Sequence, residues 1–172
     1  LGGDWELEVQ IGLIETPIPF NANTLKTYSS VLGFAPKVDF STGNGPRSVS
    51  IADINGDSKP DLAVANSGSD NASILLNTTV PGATVPSFAP QVPFDTGDDP
   101  RSVSIGDING DGFLDLAVAN TGSNNASILL NTTPKGATTP SFANQVFFAN
   151  VSRPYSLSIG EINGDGNPDL VV

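Results

Sequence analysis

The sequence PRSVSIADINGDSKPDLAVAN, residues 46–66, returns at residues 100–120 with only four changes. Extending the comparison in both directions aligns residues 34–87 with residues 88–141 without a gap, and 40 of the 54 positions are identical. A fixed period of this length is the signature of a repeat architecture. The chain is therefore built on a 54-residue unit.

A third copy of the unit starts at residue 142 and matches the second copy at 18 of 31 positions. The residues before the first copy do not fit the frame. The predicted divisions are a non-repeat N-terminal segment (1–33), repeat 1 (34–87), repeat 2 (88–141) and a partial repeat 3 (142–172).

Each repeat alternates β-branched and apolar segments with clusters of Gly, Pro, Asn and Asp, and shows no apolar period typical of a helix. The predicted strands of repeat 1 are Ser48–Ile54, Asp61–Asn66, Ala72–Asn77 and Ser87–Phe94, with counterparts 54 residues later. Four short strands per repeat predict an all-β fold made of β-propeller-type blades of four antiparallel strands. A propeller closes with about four to eight blades, so two repeats and part of a third predict an incomplete ring.

The N-terminal segment contains an alternating stretch, Trp5–Ile14, which is typical of a half-buried strand. This strand could cap the repeat array, complete a neighbouring sheet or belong to a preceding domain.

Composition excludes several functions. The chain has no Cys and no His, which removes disulfides, thiol nucleophiles, imidazole catalysis and the usual zinc sites. Its net charge is −11, with only seven scattered basic residues, so a nucleic-acid partner is not expected. Its apolar runs are far shorter than the ~20 residues of a membrane-spanning helix, so membrane insertion is not expected either. No catalytic motif is present, which predicts that the protein is not an enzyme.

Nine residues in each repeat form a dense acidic loop between two predicted strands: loop 1 (53–61), loop 2 (107–115) and loop 3 (161–169). Oxygen-bearing side chains stand at loop positions 1, 3, 5 and 9, and position 7 could offer its backbone carbonyl. Calcium takes about six to eight oxygen ligands, and a curled loop can point alternate side chains at one ion. The loops therefore predict up to three Ca²⁺ sites.

The predicted calcium ligands are Asp53, Asn55, Asp57, Lys59 (backbone) and Asp61 in loop 1; Asp107, Asn109, Asp111, Phe113 (backbone) and Asp115 in loop 2; and Glu161, Asn163, Asp165, Asn167 (backbone) and Asp169 in loop 3. The loops are not EF-hands, because the place of the closing Glu is taken by Val64, Val118 and Val172. Plain polar turns are the alternative interpretation. The crowding of three carboxylates into nine residues, three times over, favours a cation.

The repeat unit of residues 34–66, together with ASILLNTT at residues 72–79, resembles the FG-GAP/VCBS repeat family, and the resemblance extends over residues 34–172. Members of that family are similar to the calcium-loop blades of integrin α-subunit propellers. The resemblance implies a β-propeller whose loops bind calcium at the side-chain positions named above.

Two further sets of residues recur with the repeat. Phenylalanines at matching positions are predicted to pack between blades: Phe34, Phe40, Phe88, Phe94, Phe142 and Phe148. Five Asn-x-Ser/Thr sequons are possible glycosylation sites: Asn71, Asn77, Asn125, Asn131 and Asn150. Four of the five follow from the repeat itself, so chance is the alternative reading.

These observations lead to one main hypothesis, a non-catalytic calcium-binding repeat module with a structural or adhesive role outside the cell or at its surface. Its partner would be a protein or glycan surface, or further copies of the chain. One alternative is the protomer of a self-assembling extracellular fibre, which would use its N-terminal strand for β-augmentation between subunits. Another is the propeller scaffold of a glycan-binding or polysaccharide-active protein.

Overall fold

Strands and loops account for all of the chain that the computed structural model describes, which is residues 37–149 and 151–172. The predicted N-terminal segment, residues 1–33, lies outside the described residues. The strands are β1 (Pro46–Ala52), β2 (Asp61–Asn66), β3 (Asn71–Leu75), β4 (Val92–Asp95), β5 (Pro100–Gly106), β6 (Asp115–Asn120), β7 (Asn125–Leu129), β8 (Val146–Ala149), β9 (Ser158–Gly160) and β10 (Asp169–Val171).

The strands form one sheet per repeat. Strands β1 to β4 make a four-stranded sheet in sequence order, β5 to β8 make a second one, and β9 pairs with β10. All neighbouring strands are antiparallel. The prediction of an all-β fold with four-stranded, propeller-like blades is confirmed, and the described residues do not close a ring.

The outer strand of each blade differs most from its prediction. In repeat 1, Ile74 pairs with Val92 and Asn77 pairs with Phe88. The segment from Phe88 to Val92 therefore has one more residue than the segment from Ile74 to Asn77 that it pairs with. An extra residue of this kind is a β-bulge, and it interrupts the ladder. Strand β4 is therefore shorter than the predicted Ser87–Phe94. Repeat 2 has the same irregularity.

The first strand of each four-stranded sheet also begins and ends two residues earlier than predicted. Strand β1 stops at Ala52 because the amide of Ile54 already donates to the side chain of Asp61, at 2.8 Å. Strands β2 and β6 have their predicted bounds.

The first strands of successive repeats lie side by side and are joined by serine side chains. Ser50 Oγ donates to the carbonyl of Val103 at 2.8 Å, and Ser48 Oγ accepts from its amide at 3.3 Å. Ser102 Oγ accepts from the amide of Leu157 in the same way, at 3.3 Å. The repeated serines therefore link repeat 1 to repeat 2 and repeat 2 to repeat 3.

The core lies between the sheets. One cluster packs small and branched residues of repeat 1, such as Ala63 and Ile74, against Val103, Leu116 and Val118 of repeat 2. A smaller cluster joins repeat 2 to strands β9 and β10. Burying these faces removes apolar surface from water, which is the main source of stability in such a fold.

The phenylalanine prediction holds for four of the six positions. Phe40 packs edge-to-face on Phe88, and Phe94 packs edge-to-face on Phe142, each with ring centroids 4.9 Å apart. Phe34 lies outside the described residues. The prediction is wrong for Phe148, which is 56% exposed. Phe94, at the equivalent position of repeat 2, packs on Phe142, whereas no described aromatic ring lies beside Phe148 in the same way.

Candidate cation-binding loops

The three acidic loops have equivalent positions in the fold. Each one joins the first strand of a sheet to the second, so that β1 leads through loop 1 into β2, β5 through loop 2 into β6, and β9 through loop 3 into β10. The antiparallel pairing of these strands brings position 1 and position 9 of each loop close together.

The side chains at positions 1, 3 and 5 point into the curl of their own loop. In loop 2, Asp107 Oδ1 accepts from the amide of Asp111 at 3.1 Å, and Asn109 Oδ1 accepts from the same amide at 3.0 Å. Asp111 Oδ1 in turn accepts from the amide of Phe113 at 2.8 Å. Since two oxygens share one donor, the side chains of positions 1 and 3 converge.

Loop 1 repeats this arrangement closely. Asp53 Oδ1 and Asn55 Oδ1 both accept from the amide of Asp57, at 3.0 and 3.2 Å, and Asp57 Oδ1 accepts from the amide of Lys59 at 2.9 Å. The position-7 residues thus use their amides to orient the carboxylate at position 5.

Loop 3 keeps two of the three contacts. Asn163 Oδ1 accepts from Asp165 at 2.8 Å, and Asp165 Oδ1 accepts from Asn167 at 2.7 Å, which lowers the pKa of the Asp165 carboxyl. Glu161, the longer acid at position 1, accepts from Gly164 at 2.6 Å instead.

Backbone conformation explains the glycines in the loops. Position 4 has a positive φ in each loop, 69° at Gly56, 75° at Gly110 and 82° at Gly164. Only glycine adopts this region without a steric cost. Position 6 is also left-handed, and there loop 1 has Ser58 at 70° where loop 2 has Gly112 at 86°.

Position 9 has a role that the sequence did not reveal. Asp61 is fully buried, and its two oxygens accept from the amides of Ile54 at 2.8 Å and of Asn77 at 2.7 Å. Burial raises the pKa of the Asp61 carboxyl above its ordinary value, and the amide hydrogen bonds oppose this rise. The residue ties the start of the loop to the end of β3.

Asp115 makes the same connections in repeat 2, to the amides of Ile108 at 2.9 Å and Asn131 at 2.8 Å. It is also fully buried, and burial likewise raises its pKa. Asp169 accepts from Ile162 at 2.8 Å. Both oxygens of Asp61 and Asp115 are thus committed to the backbone.

The structure therefore brings the predicted ligands at positions 1 and 3 together in loops 1 and 2. The carboxylate at position 5 lies against the amide at position 7, and position 9 is directed toward the body of the sheet. Within the described residues, no three acidic groups are already arranged around one point where a metal ion could bind. The donor set still fits a hard cation, because every side-chain donor is an oxygen. Among the described residues, these loops contain a single ion pair, between Lys59 Nζ and Asp57 Oδ2 at 3.8 Å.

A turn of repeat 2, residues 131–137, covers loop 1. The amide of Gly136 donates to the carbonyl of Asn55 at 2.6 Å, and Asn55 Nδ2 donates to the carbonyl of Ala137 at 2.9 Å. Asn131 Nδ2 donates to the carbonyl of Ile54 at 2.9 Å. The side chain of Lys135 passes over Gly56.

This contact leaves a cavity of about 300 Å³ between loops 1 and 2, whose lining includes Asp53, Asp111, Phe113 and Lys135. Sequence reasoning missed the contact, since nothing in repeat 2 alone shows which residues of repeat 1 its turn will reach. Loop 1 is consequently half-buried, whereas positions 3 to 7 of loop 2 are exposed.

The sequon asparagines differ in burial and in the hydrogen bonds that their side-chain amides make. Asn131 is 3% exposed and its amide nitrogen is bonded to two carbonyls, and Asn77 Nδ2 donates to the carbonyl of Pro60 at 2.8 Å. Asn71 and Asn125 begin strands β3 and β7 and are partly exposed. Asn150 lies outside the described residues.

Comparison with known families matches the FG-GAP-like repeat twice, over residues 53–118 and 107–172. The two matches start 54 residues apart, at position 1 of loop 1 and of loop 2. A domain of unknown function (DUF4347) matches residues 1–32. No curated protein matches the chain. Since the repeat matches cover most of the sequence, the chain belongs to the FG-GAP-like repeat family.

The described part of the chain contains no helix that is long and apolar enough to cross a membrane.

Proposed function

We propose that this member of the FG-GAP-like repeat family is a non-enzymatic, extracellular repeat module whose acidic loops bind calcium and whose role is structural or adhesive. Repeats of this family are generally non-enzymatic and are typical of extracellular proteins. The proposed partner is a protein or glycan surface, or further copies of the chain.

The observation that carries the proposal is the convergence of position-1 and position-3 oxygens on one amide in loops 1 and 2. The amide oxygen at position 3 is neutral, but positions 1 and 5 of the same short loop are both carboxylates, and like charges in one loop repel unless a positive charge lies between them. The need for a positive charge is clearest in loop 2, because Asp107 and Asp111 form no ion pair with any described residue. A divalent cation would remove this repulsion.

The residues that would hold the ion are the side chains at positions 1, 3 and 5 with the backbone carbonyl at position 7. Calcium bound there supplies charge neutralisation and a set of oxygen contacts that hold the loop in one conformation. Because each loop joins two strands of a sheet, a loop held in this way also holds the strand pairing. Metal binding and folding stability are therefore coupled.

Thermal unfolding with calcium and with a chelator tests the proposal. We expect calcium at about 100 times its dissociation constant to stabilise the fold by about 2.7 kcal/mol per site. The double variant Asp107→Asn with Asp111→Asn should lose the part of this gain that comes from loop 2. The matched control is Asp98→Asn, an exposed acid outside the loops, which should retain all of it. An unfolding midpoint that is the same with calcium and with chelator would refute the proposal.

A further inference from the structure

Position 3 and position 4 of each acidic loop form an Asn-Gly step. The surrounding tetrapeptide Ile-Asn-Gly-Asp is identical in the three loops, at residues 54–57, 108–111 and 162–165. Any difference in chemical behaviour between the three asparagines must therefore come mainly from their structural surroundings.

Asn-Gly is the dipeptide in which an asparagine side chain reacts most readily with its own backbone. The amide nitrogen of the glycine attacks Cγ of the asparagine, the C–N bond to the side-chain NH₂ breaks, and ammonia leaves as a five-membered succinimide closes. Water then adds to one of the two ring carbonyls and opens the ring to aspartate or isoaspartate. Glycine permits the reaction because it has no side chain to obstruct the ring and has a flexible backbone.

We propose that the turn of repeat 2 protects Asn55 from deamidation and that Asn109 and Asn163, which no described residue covers in this way, deamidate spontaneously in a chain of these 172 residues. The proposal does not rest on calcium binding. It rests on the contrast between one asparagine held by a neighbouring repeat and two asparagines held only by their own loops.

Asn55 cannot rotate without disturbing repeat 2. It is 5% exposed, its Nδ2 donates to the carbonyl of Ala137 at 2.9 Å, and its own carbonyl accepts from Gly136 at 2.6 Å. The methylenes of Lys135 lie over Gly56, the residue whose nitrogen would attack. Ring closure at Asn55 therefore requires the turn to open first, which has a free-energy cost of its own.

Asn109 is exposed, and each of its described side-chain contacts is within loop 2. Its Nδ2 donates to Asp111 Oδ2 at 2.8 Å, and its Oδ1 accepts from the amide of Asp111 at 3.0 Å. The attacking amide of Gly110 donates to Asp107 Oδ1 at 2.8 Å. These contacts open when this one exposed loop fluctuates. The space beside Gly110 is empty, because a Cβ at that residue would meet nothing within 4 Å.

Asn163 is in the same state in loop 3. It is exposed, its side chain contacts Asp165 and Asp169, and the amide of Gly164 donates to Glu161 at 2.6 Å. Conversion replaces the neutral amide at position 3 with a carboxylate, and the isoaspartate product also adds a carbon to the backbone just before the position-4 glycine. Each event adds one negative charge to a loop that already carries three acids.

Peptide mapping by mass spectrometry of the intact folded chain, incubated near neutral pH, tests the proposal. Deamidated peptide should accumulate at Asn109 and Asn163, and at least about tenfold more slowly at Asn55, where several hydrogen bonds must open. In denaturant the three rates should converge, because the tetrapeptides are identical. Equal rates at Asn55 and Asn109 in the folded chain would overturn the proposal, and so would a difference that persists in denaturant.

The variant Asn131→Ala removes one bond between the turn and loop 1. If circular dichroism shows that it is folded, we expect faster deamidation at Asn55 and an unchanged rate at Asn163, because the described hydrogen bonds of the Asn131 amide nitrogen go to Ile54 and Leu114 and not to loop 3. An unchanged rate at Asn55 in the folded variant would show that the turn does not protect it.

Discussion

Loops 1 and 2 share six of nine residues, yet they differ in what surrounds them. Both curl around the amide at position 5, and both end in a buried aspartate. Loop 1 is covered by the turn of repeat 2, while no described residue covers loop 2 in the same way. The repeat's own sequence thus determines how a loop curls, and the next repeat determines whether that loop is enclosed.

The comparison of loops 1 and 2 predicts its largest effect on stability at position 9. Asp61→Ala leaves the amides of Ile54 and Asn77 without their acceptor, and Ile54 is only 2% exposed. We expect a loss of about 3 kcal/mol in the free energy of unfolding, measured with urea. Asp115→Ala should cost about 2 kcal/mol, because Asp115 accepts from two amides, those of Ile108 and Asn131, whereas Asp61 also accepts from the buried amide of Asn55 at 3.4 Å.

Asp98→Ala, a change of an exposed acid, is the control and should fall within about 0.5 kcal/mol of the parent. If Asp61→Ala and Asp115→Ala cost the same, enclosure does not alter the energetics of position 9.

A smaller difference should separate Asn131 from its counterpart Asn77. Asn131 Nδ2 donates to Ile54 of repeat 1 and to Leu114, whereas Asn77 Nδ2 donates only to Pro60. In urea unfolding we expect Asn131→Ala to cost about 1 kcal/mol more than Asn77→Ala, which is the contribution of one additional buried hydrogen bond. Equal costs would mean that the bond between the repeats adds no stability.

The smallest expected effect comes from position 6, where both loops have a positive φ. Ser58→Gly should stabilise loop 1 by a few tenths up to about 1 kcal/mol, and Gly112→Ser should destabilise loop 2 by a similar amount. The measurement is the thermal unfolding midpoint. Opposite signs are required, because the same change is made in opposite directions, and a shared sign would contradict the equivalence of the two loops.

Local patterns were sufficient to predict part of this structure. The period of 54 residues, the positions of the acidic loops and the bounds of β2 and β6 depend on sequence alternation and turn chemistry, which are local properties. The left-handed backbone at the position-4 glycines is likewise a local property, because only glycine adopts it without a steric cost.

Longer-range contacts account for what the sequence did not show. That Asp61 is a ligand stays a prediction, and the sequence did not show that its carboxylate accepts from an amide 16 residues further along the chain. The bond from Asn131 to Ile54 spans 77 residues. The bulge that shortens β4 depends on pairing between strands. None of these contacts leaves a signature in a local window of sequence.

The outer strands have a consequence for how the protein behaves in concentrated solution. Pro93 in β4 has no amide proton, so this edge offers an incoming strand one fewer donor. Its counterpart in β8 is Phe147, and all four residues of that strand are exposed. An apolar edge of this kind pairs readily with other extended chains and promotes aggregation. The proline of repeat 1 is a gatekeeper against aggregation that repeat 2 lacks.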